Sequence, residues 1–253
     1  MCRRKLNVYV GCCGWSYLKP GELKEQIGAN YSSTLQAYAR IFDCVEVNST
    51  FYHMPRQTTV EKWRRQVSNE NKNFKFAIKA YRGITHFDRF GAKSFEYFEH
   101  LKEIAYELGS QLILFQSPAS FNPSTENINK IKKFFGSIAA ENISLVWEPR
   151  GSWYDNPLLI KEMCEEHNLI HCVDPFRNEP VAFGTKKIAY FRLHGFGKPS
   201  MYNYSYSNRE LDKLSQVLDS LEQNCSSAYV FFNNSDCYSN ALNFSRTLKK
   251  QSK

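Results

Sequence analysis

No apolar run in this sequence approaches the roughly 20 residues that a bilayer-crossing helix needs. The basic start, Met1-Cys2-Arg3-Arg4-Lys5, is followed by Leu6–Val10, which alternates with polar residues as a strand does. No export signal is therefore expected, and the chain reads as cytoplasmic with no membrane partner. Cys-x-x-Cys is absent, although there are eight cysteines. Cys12 and Cys13 are adjacent on a presumed strand and so point to opposite faces. Without export the thiols stay reduced, and they read as small buried hydrophobes rather than disulfides or metal ligands. A Gly-x-Gly-x-x-Gly turn is missing after the first strand, and so is a phosphate-binding P-loop; Gly11-Cys12-Cys13-Gly14 matches neither. Low-complexity segments and linker-like composition shifts are also missing, so one domain is expected.

A large excess of one charge is missing too, once the ends are set aside. The formal charge is +8, but Arg3, Arg4, Lys5, Lys249, Lys250 and Lys253 supply six positive charges. No acid lies among residues 1–5 or 249–253, which leaves +2 for the body. Short basic tails at about 1–6 and 249–253 are expected, and the near-neutral body argues against a polyanion partner.

What is present is alternation. Short apolar or β-branched runs fall at Val8–Cys12, Cys44–Asn48, Phe74–Lys79, Gln111–Phe115, Ser144–Trp147, Ile170–Val173, Ile188–Leu193 and Ala228–Phe232. Several are nearly continuous, as parallel strands buried on both faces are. Between them run helical stripes: Leu35, Tyr38, Phe42; Val60, Trp63, Val67; Phe98, Leu101, Ala105, Leu108; Ile128, Ile131, Phe135, Ile138; and Leu211, Leu214, Leu218, Leu221. Asp155-Asn156-Pro157 reads as a helix start. Asp174 to Lys187 shows no helical period, so an irregular connection is expected between strands six and seven. Eight βα units in 253 residues predict a single-domain α/β fold, a (β/α)8 TIM-type barrel.

In such a barrel the active site lies at the C-terminal ends of the strands. Reading outward from each run gives Trp15 and Tyr17; Glu46, Asn48 and Tyr52; Lys79 and His86; Gln116; Glu148, Arg150 and Trp153; Asp174; Arg192 and His194; and Asn233 with Asn234. Seven consecutive strands thus deliver a charged or amide side chain to one rim. Buried charges are costly unless paired or used, so the set predicts either a functional site or a structural ring of ion pairs. On the bland reading Glu46 merely pairs with Lys79 on the neighbouring strand, and His86 is an ordinary loop residue. Trp15, Tyr17, Tyr52 and Trp153 are either rim packing or an aromatic wall. Gly195 and Gly197 after His194 permit close backbone approach to a ligand.

Residues 11–17 (GCCGWSY), 45–55 (VEVNSTFYHMP), 76–79 (FAIK) with 85–86 (TH), 148–153 (EPRGSW), 191–195 (FRLHG) and 231–234 (FFNN) occur in an order that resembles the domain-of-unknown-function 72 family, the YecE-like proteins. The resemblance spans about residues 8–248 and implies a TIM-type barrel but no established reaction. It places the family's polar positions on Glu46, Asn48, Lys79, His86, Gln116, Glu148, Arg150, Arg192, His194 and Asn233. Two departures stand out. Cys12 and Cys13 replace residues that usually carry hydroxyls, and Gln116-Ser117-Pro118-Ala119 replaces Gln-x-Pro-Pro, which predicts a more relaxed loop.

Three functions remain open. The first is a hydrolase or lyase acting on an anionic, phosphate-bearing substrate such as a nucleotide or nucleic acid. Lys79, Arg150 and Arg192 would hold the anion, Glu46 or Glu148 would be general base, and His194 acid or second base. No cofactor is called for; a divalent ion on Glu46, Glu148, Asp174 and His194 is a secondary option. The second is a carbohydrate-active hydrolase using Glu46 and Glu148. The third is a non-catalytic nucleic-acid binder. The expected partner is a small anionic or phosphorylated ligand at the barrel mouth, and the sequence sets no oligomeric state.

Overall fold

A computed structural model describes residues 6–251. Eight parallel strands close into a barrel in sequence order: β1 (Asn7–Cys12), β2 (Cys44–Val47), β3 (Lys75–Lys79), β4 (Leu112–Gln116), β5 (Ser144–Glu148), β6 (Ile170–Val173), β7 (Ile188–Leu193) and β8 (Ser227–Phe232). Each expected strand is present, with ends shifted by at most one residue. Closure is by β1 on β8, in register from Asn7 opposite Ser227 to Cys12 opposite Phe232.

The β1–β2 ladder is short, joining only Gly11 to Cys44 and Cys12 to Val45. A β-carbon at Gly11 would strike the Cys44 carbonyl, so only glycine permits this approach. The buried Tyr38 hydroxyl completes the seam. It accepts from the Cys12 amide and donates to the Cys44 carbonyl, both at 2.8 Å, so no buried backbone group there is left unpaired.

The helices are α1 (Lys24–Ile27), α2 (Thr34–Ala39), α3 (Gln57–Ser68), α4 (Lys93–Leu108), α5 (Thr125–Ser137), α6 (Pro157–Glu166), α7 (Asn208–Leu221) and α8 (Cys237–Gln251). Their apolar stripes pack on the barrel. In α4, Phe98, Leu101, Ala105 and Leu108 are buried, and in α7, Leu211, Leu214, Leu218 and Leu221. Asn156 caps α6 by accepting from the Leu159 amide, with Pro157 in the first turn. No named element lies between β6 and β7. The chain there folds back instead, with the His171 amide donating to the Ala182 carbonyl and Phe183 bridging Ile170.

The described residues reach only the inner edge of the stretches expected as basic tails. Leu6 is buried, and α8 continues to Gln251. Residues 1–5, 252 and 253 lie outside the described residues. No helix among those described is long and apolar enough to cross a membrane.

Candidate functional site

Side chains two apart on a strand share a face, and that parity builds the site. The barrel interior holds Cys44, Ala77, Leu114, Val146, Cys172, Tyr190 and Phe231 in an apolar cluster. One step of two further along the same strands come Glu46, Lys79, Gln116, Glu148, Asp174, Arg192 and Asn233. Polar side chains from seven strands therefore form one layer above an apolar plug, at the C-terminal end of the barrel.

Arg192 is the hub. Its side chain is 1% exposed. Nε donates to Glu46 Oε2 at 3.0 Å, Nη2 to Glu46 Oε1 at 3.0 Å, and Nη1 to Glu148 Oε2 at 2.8 Å. Glu46 also accepts from the Tyr190 hydroxyl at 2.8 Å. Burial works against the guanidinium's charge, but Glu46 and then Glu148 more than offset it, and Arg192 holds its proton more tightly than an ordinary arginine. The bland reading had Glu46 pair with Lys79; its partner is an arginine reaching across the barrel from β7.

Glu148 carries three more contacts. The Gln116 amide donates to Oε2 at 2.8 Å, and Arg150 Nη2 lies against Oε1. Burial pushes this carboxyl up, yet Arg192 and then Arg150 outweigh it and hold the group well below the usual carboxylate range. Glu148 is thus held as an anion between two guanidinium groups.

His194 is also specified by its neighbours. Arg150 Nη2 donates to Nε2 at 3.0 Å, and a guanidinium has no lone pair to accept with. Nε2 is therefore the unprotonated nitrogen and Nδ1 carries the hydrogen, facing Asp174 Oδ2 at 3.5 Å. Burial lowers its pKa, and the hydrogen bond to Asp174 only partly opposes that. Burial therefore favours the neutral ring, with Nε2 covered by Arg150. Asp174 is a positioning residue: it accepts from the backbone amides of Phe176 and His194 and lies 3.6 Å from Arg177 Nε.

Lys79 differs from every other charge in the layer. It is buried, and among the described residues no carboxylate lies within ion-pair distance of Nζ. The ammonium sits 4.2 Å from the centre of the Phe51 ring. Thr50 Oγ1 fixes this arrangement by lying 2.7 Å from both the Val47 and the Lys79 carbonyls, which share its one hydroxyl hydrogen, and so ties the loop after β2 to the end of β3. Burial first, and the Arg192 charge second, lower the Lys79 pKa to about 8. Lys79 opens onto a cleft of about 930 Å³ together with Cys13, Tyr17, Asn48, Tyr52 and Asn233. Asn48 Oδ1 is buried there without a partner. A smaller cleft of about 190 Å³ lies beside it, lined by Arg150, Arg177, His194 and Tyr154.

Several expected residues stand elsewhere. Trp153 is fully buried, donates to the Phe121 carbonyl and packs edge-on against Trp147, outside the mouth. Trp15 packs edge-on against Trp63 of α3. Only Tyr17 and Tyr52 of the expected aromatic wall face the cleft. Asn234 lines the larger cleft beside Asn233 and also clamps a loop, donating to the Tyr204 carbonyl and Asn240 Oδ1. The space beside Gly195 and Gly197 is filled by Tyr204 and the Asn203 backbone rather than left for a ligand. His86 packs edge-on against Phe51 with its pKa lowered to about 4, by burial first and Lys79 second. The loop after Gln116 is pinned, not relaxed: Ser117 accepts from the Trp147 indole and its amide donates to the Glu148 carbonyl. The Cys12 thiol meets that of Cys237, while Cys13 faces Arg192 at 3.7 Å. Sequence reasoning missed Tyr190, Cys13, Phe51 and Arg177. Parity was the usable signal for the first two, since each is in phase with inward-facing residues of its strand.

The set Glu46, Glu148, Asp174 and His194 does not fit a divalent ion. Guanidinium groups occupy the carboxylate oxygens, and no group of three or more His, Cys, Asp or Glu able to hold a metal occurs among the described residues.

A family model described as "Protein of unknown function DUF72" matches residues 9–253. UPF0759 protein YunF of Bacillus subtilis (strain 168) is 26% identical over 261 residues, covering 90% of this chain and 88% of the relative. UPF0759 protein YecE of Escherichia coli (strain K12) is 30% identical over 119 residues, which cover 46% of this chain and 39% of the relative. A solved DUF72 family protein from Thermotoga maritima MSB8 superposes with a TM-score of 0.75 at 26% identity, over 96% of this chain and 99% of that one. A D-psicose 3-epimerase from Clostridium cellulolyticum H10 has a TM-score of 0.54 at 11% identity, over 92% and 89%, and so shares the fold alone.

Proposed function

We propose, for a chain that belongs to the DUF72 family of proteins of unknown function, that the barrel mouth is the active site of an enzyme whose substrate carries a phosphate or other anionic group. The observation that carries this reading is an imbalance of partners. Every carboxylate in the layer is engaged by a guanidinium, whereas Lys79 has no anion of its own and Arg150 reaches the second cleft. Lys79 and Arg150 are the anion-binding groups, and Arg192 is the strut that keeps Glu46 and Glu148 charged beneath them. When a substrate anion draws Arg150 away, Nε2 of His194 loses its 3.0 Å donor and keeps only the longer 3.4 Å contact with Arg192 Nη1, which makes it the available base.

A lyase fits better than a hydrolase, because neither glutamate is free to activate water. Glycoside hydrolysis is disfavoured by the guanidinium lying between the two carboxylates, where a glycosidic bond would have to sit. Exposed Tyr17 and Tyr52 at the cleft edge would stack a base, which favours a nucleotide among phosphate-bearing substrates.

Inorganic phosphate and simple phosphate monoesters are the first probes, read by thermal unfolding and calorimetry. Binding should raise the unfolding temperature. Arg150→Met should weaken binding roughly ten- to a hundred-fold, the loss of a charge-assisted hydrogen bond. Absence of any shift at millimolar concentrations of these anions sinks the reading.

A further inference from the structure

We infer that Lys79 is the nucleophilic amine of an imine-forming site, and that the substrate is an anionic carbonyl compound, a keto acid or a phosphorylated aldehyde or ketone. The inference rests on the anion-binding reading above and assigns the two cations different tasks: Arg150 holds the anionic group and Lys79 takes the carbonyl carbon.

Four observations converge. Lys79 is a buried lysine on a rigid strand end, fixed by Thr50 and opening onto the larger cleft. It lacks a carboxylate partner that would keep it protonated. The face of Phe51, 4.2 Å from its ammonium, accepts an iminium cation as readily as an ammonium. Asn48 Oδ1, an unpartnered buried acceptor lining the same cleft, offers a hydrogen-bond acceptor to the hydroxyl of the first adduct. A lysine meant only to bind anions has no need of burial without a counter-charge; a lysine meant to attack a carbonyl needs its neutral form. With a pKa of about 8, about half the molecules carry the free amine at pH 8, against about one in three hundred for an ordinary lysine.

The chemistry balances without an added reagent. The amine lone pair forms the C–N bond, the carbonyl π pair moves to oxygen, and one proton passes from nitrogen to oxygen to give a carbinolamine. A further proton on that oxygen lets it leave as water while the nitrogen lone pair forms the C=N bond, leaving the iminium. The iminium is an electron sink for cleavage of a bond at the adjacent carbon, and His194, once uncovered, is the base placed to receive a proton.

The test is reductive trapping of the intact protein. Glyoxylate or dihydroxyacetone phosphate is added with sodium borohydride, and peptides are mapped by mass spectrometry. The expected result is labelling at Lys79 one to two orders of magnitude faster than at exposed lysines, following the difference in free amine. Its rate should have a midpoint near pH 8, and millimolar phosphate should slow it. Lys79→Arg keeps the charge and should abolish the trapped adduct. Labelling spread over surface lysines, with Lys79 no faster than they are, overturns the inference; the comparison is internal to the wild type and does not depend on a variant folding. If Lys79 is not labelled yet phosphate still binds, the imine falls and the anion site stands. If neither phosphate nor the carbonyl acids bind, both fall.

Discussion

The two cations in the barrel interior have opposite energetics. Arg192 is fully paired, and removing one partner of a buried pair leaves uncompensated charge behind. Arg192→Met should cost on the order of 3–5 kcal/mol in urea unfolding, because Glu46 would lose its counter-ion and Glu148 would keep only Arg150. A cost below about 1 kcal/mol would mean that the glutamates reach solvent. Lys79 is the reverse. Its folded pKa lies below the ordinary lysine value, so the fold disfavours the charged form. That cost is complete below about pH 8, shrinks as pH rises, and disappears above the unfolded value near 10.4. Lys79→Met should therefore stabilise the protein by on the order of 1–3 kcal/mol at pH 7. The advantage should fade between about pH 8 and 10.4 in denaturant titrations. A stability difference that does not change with pH would show that Lys79 is not strained by its burial. The inward position of Glu46 was legible from its alternation with Val45 and Val47. Its partner was not, because Arg192 is 146 residues away and pairing across a barrel leaves no local trace. Trp15 and Trp153 stayed open between packing and an aromatic wall because strand parity ends where the strand does; once in a loop, an aromatic packs wherever a hydrophobic gap lies.

At the level of elements, helix ends carry more of the site than their sequence advertises. The stretch Tyr204–Glu210 leads into α7 through a capping box: Glu210 Oε2 accepts from the Ser207 amide at 2.8 Å, and Ser207 Oγ accepts from the Glu210 amide. The Tyr204 hydroxyl donates to the same carboxylate, so the cap also anchors the loop that packs beside Gly195. Ser207→Ala should cost about 1 kcal/mol and lower the unfolding temperature by a few degrees. An unchanged value would show that the loop does not depend on the cap. The strands were legible because both faces are apolar, and the gap between β6 and β7 because its prolines and glycine carry no period. Two helices gave no such sign: α1 has only four residues, and no stripe marks α8, where Ala241 and Phe244 carry the buried face.

For the whole molecule, counting eight units was enough to expect closure, and in-phase alternation was enough to place the polar layer at one end. What lies beneath that layer was not expected. Tyr9 stacks on Tyr229, Tyr229 on Tyr190 and on Phe231, and Tyr190 meets Phe231 at 5.2 Å. These rings come from three strands that adjoin around the closing seam, and they fill the cylinder. The bulk of three tyrosines and a phenylalanine was available to composition, but their meeting depends on strand order and stagger.

The stacked rings make the barrel a cup rather than a tunnel. Whatever enters must turn around and leave by the way it came. On the proposed enzymatic reading, each departing product contests that one doorway with the next arrival, and turnover is governed by how quickly the site lets go as well as by how firmly it holds.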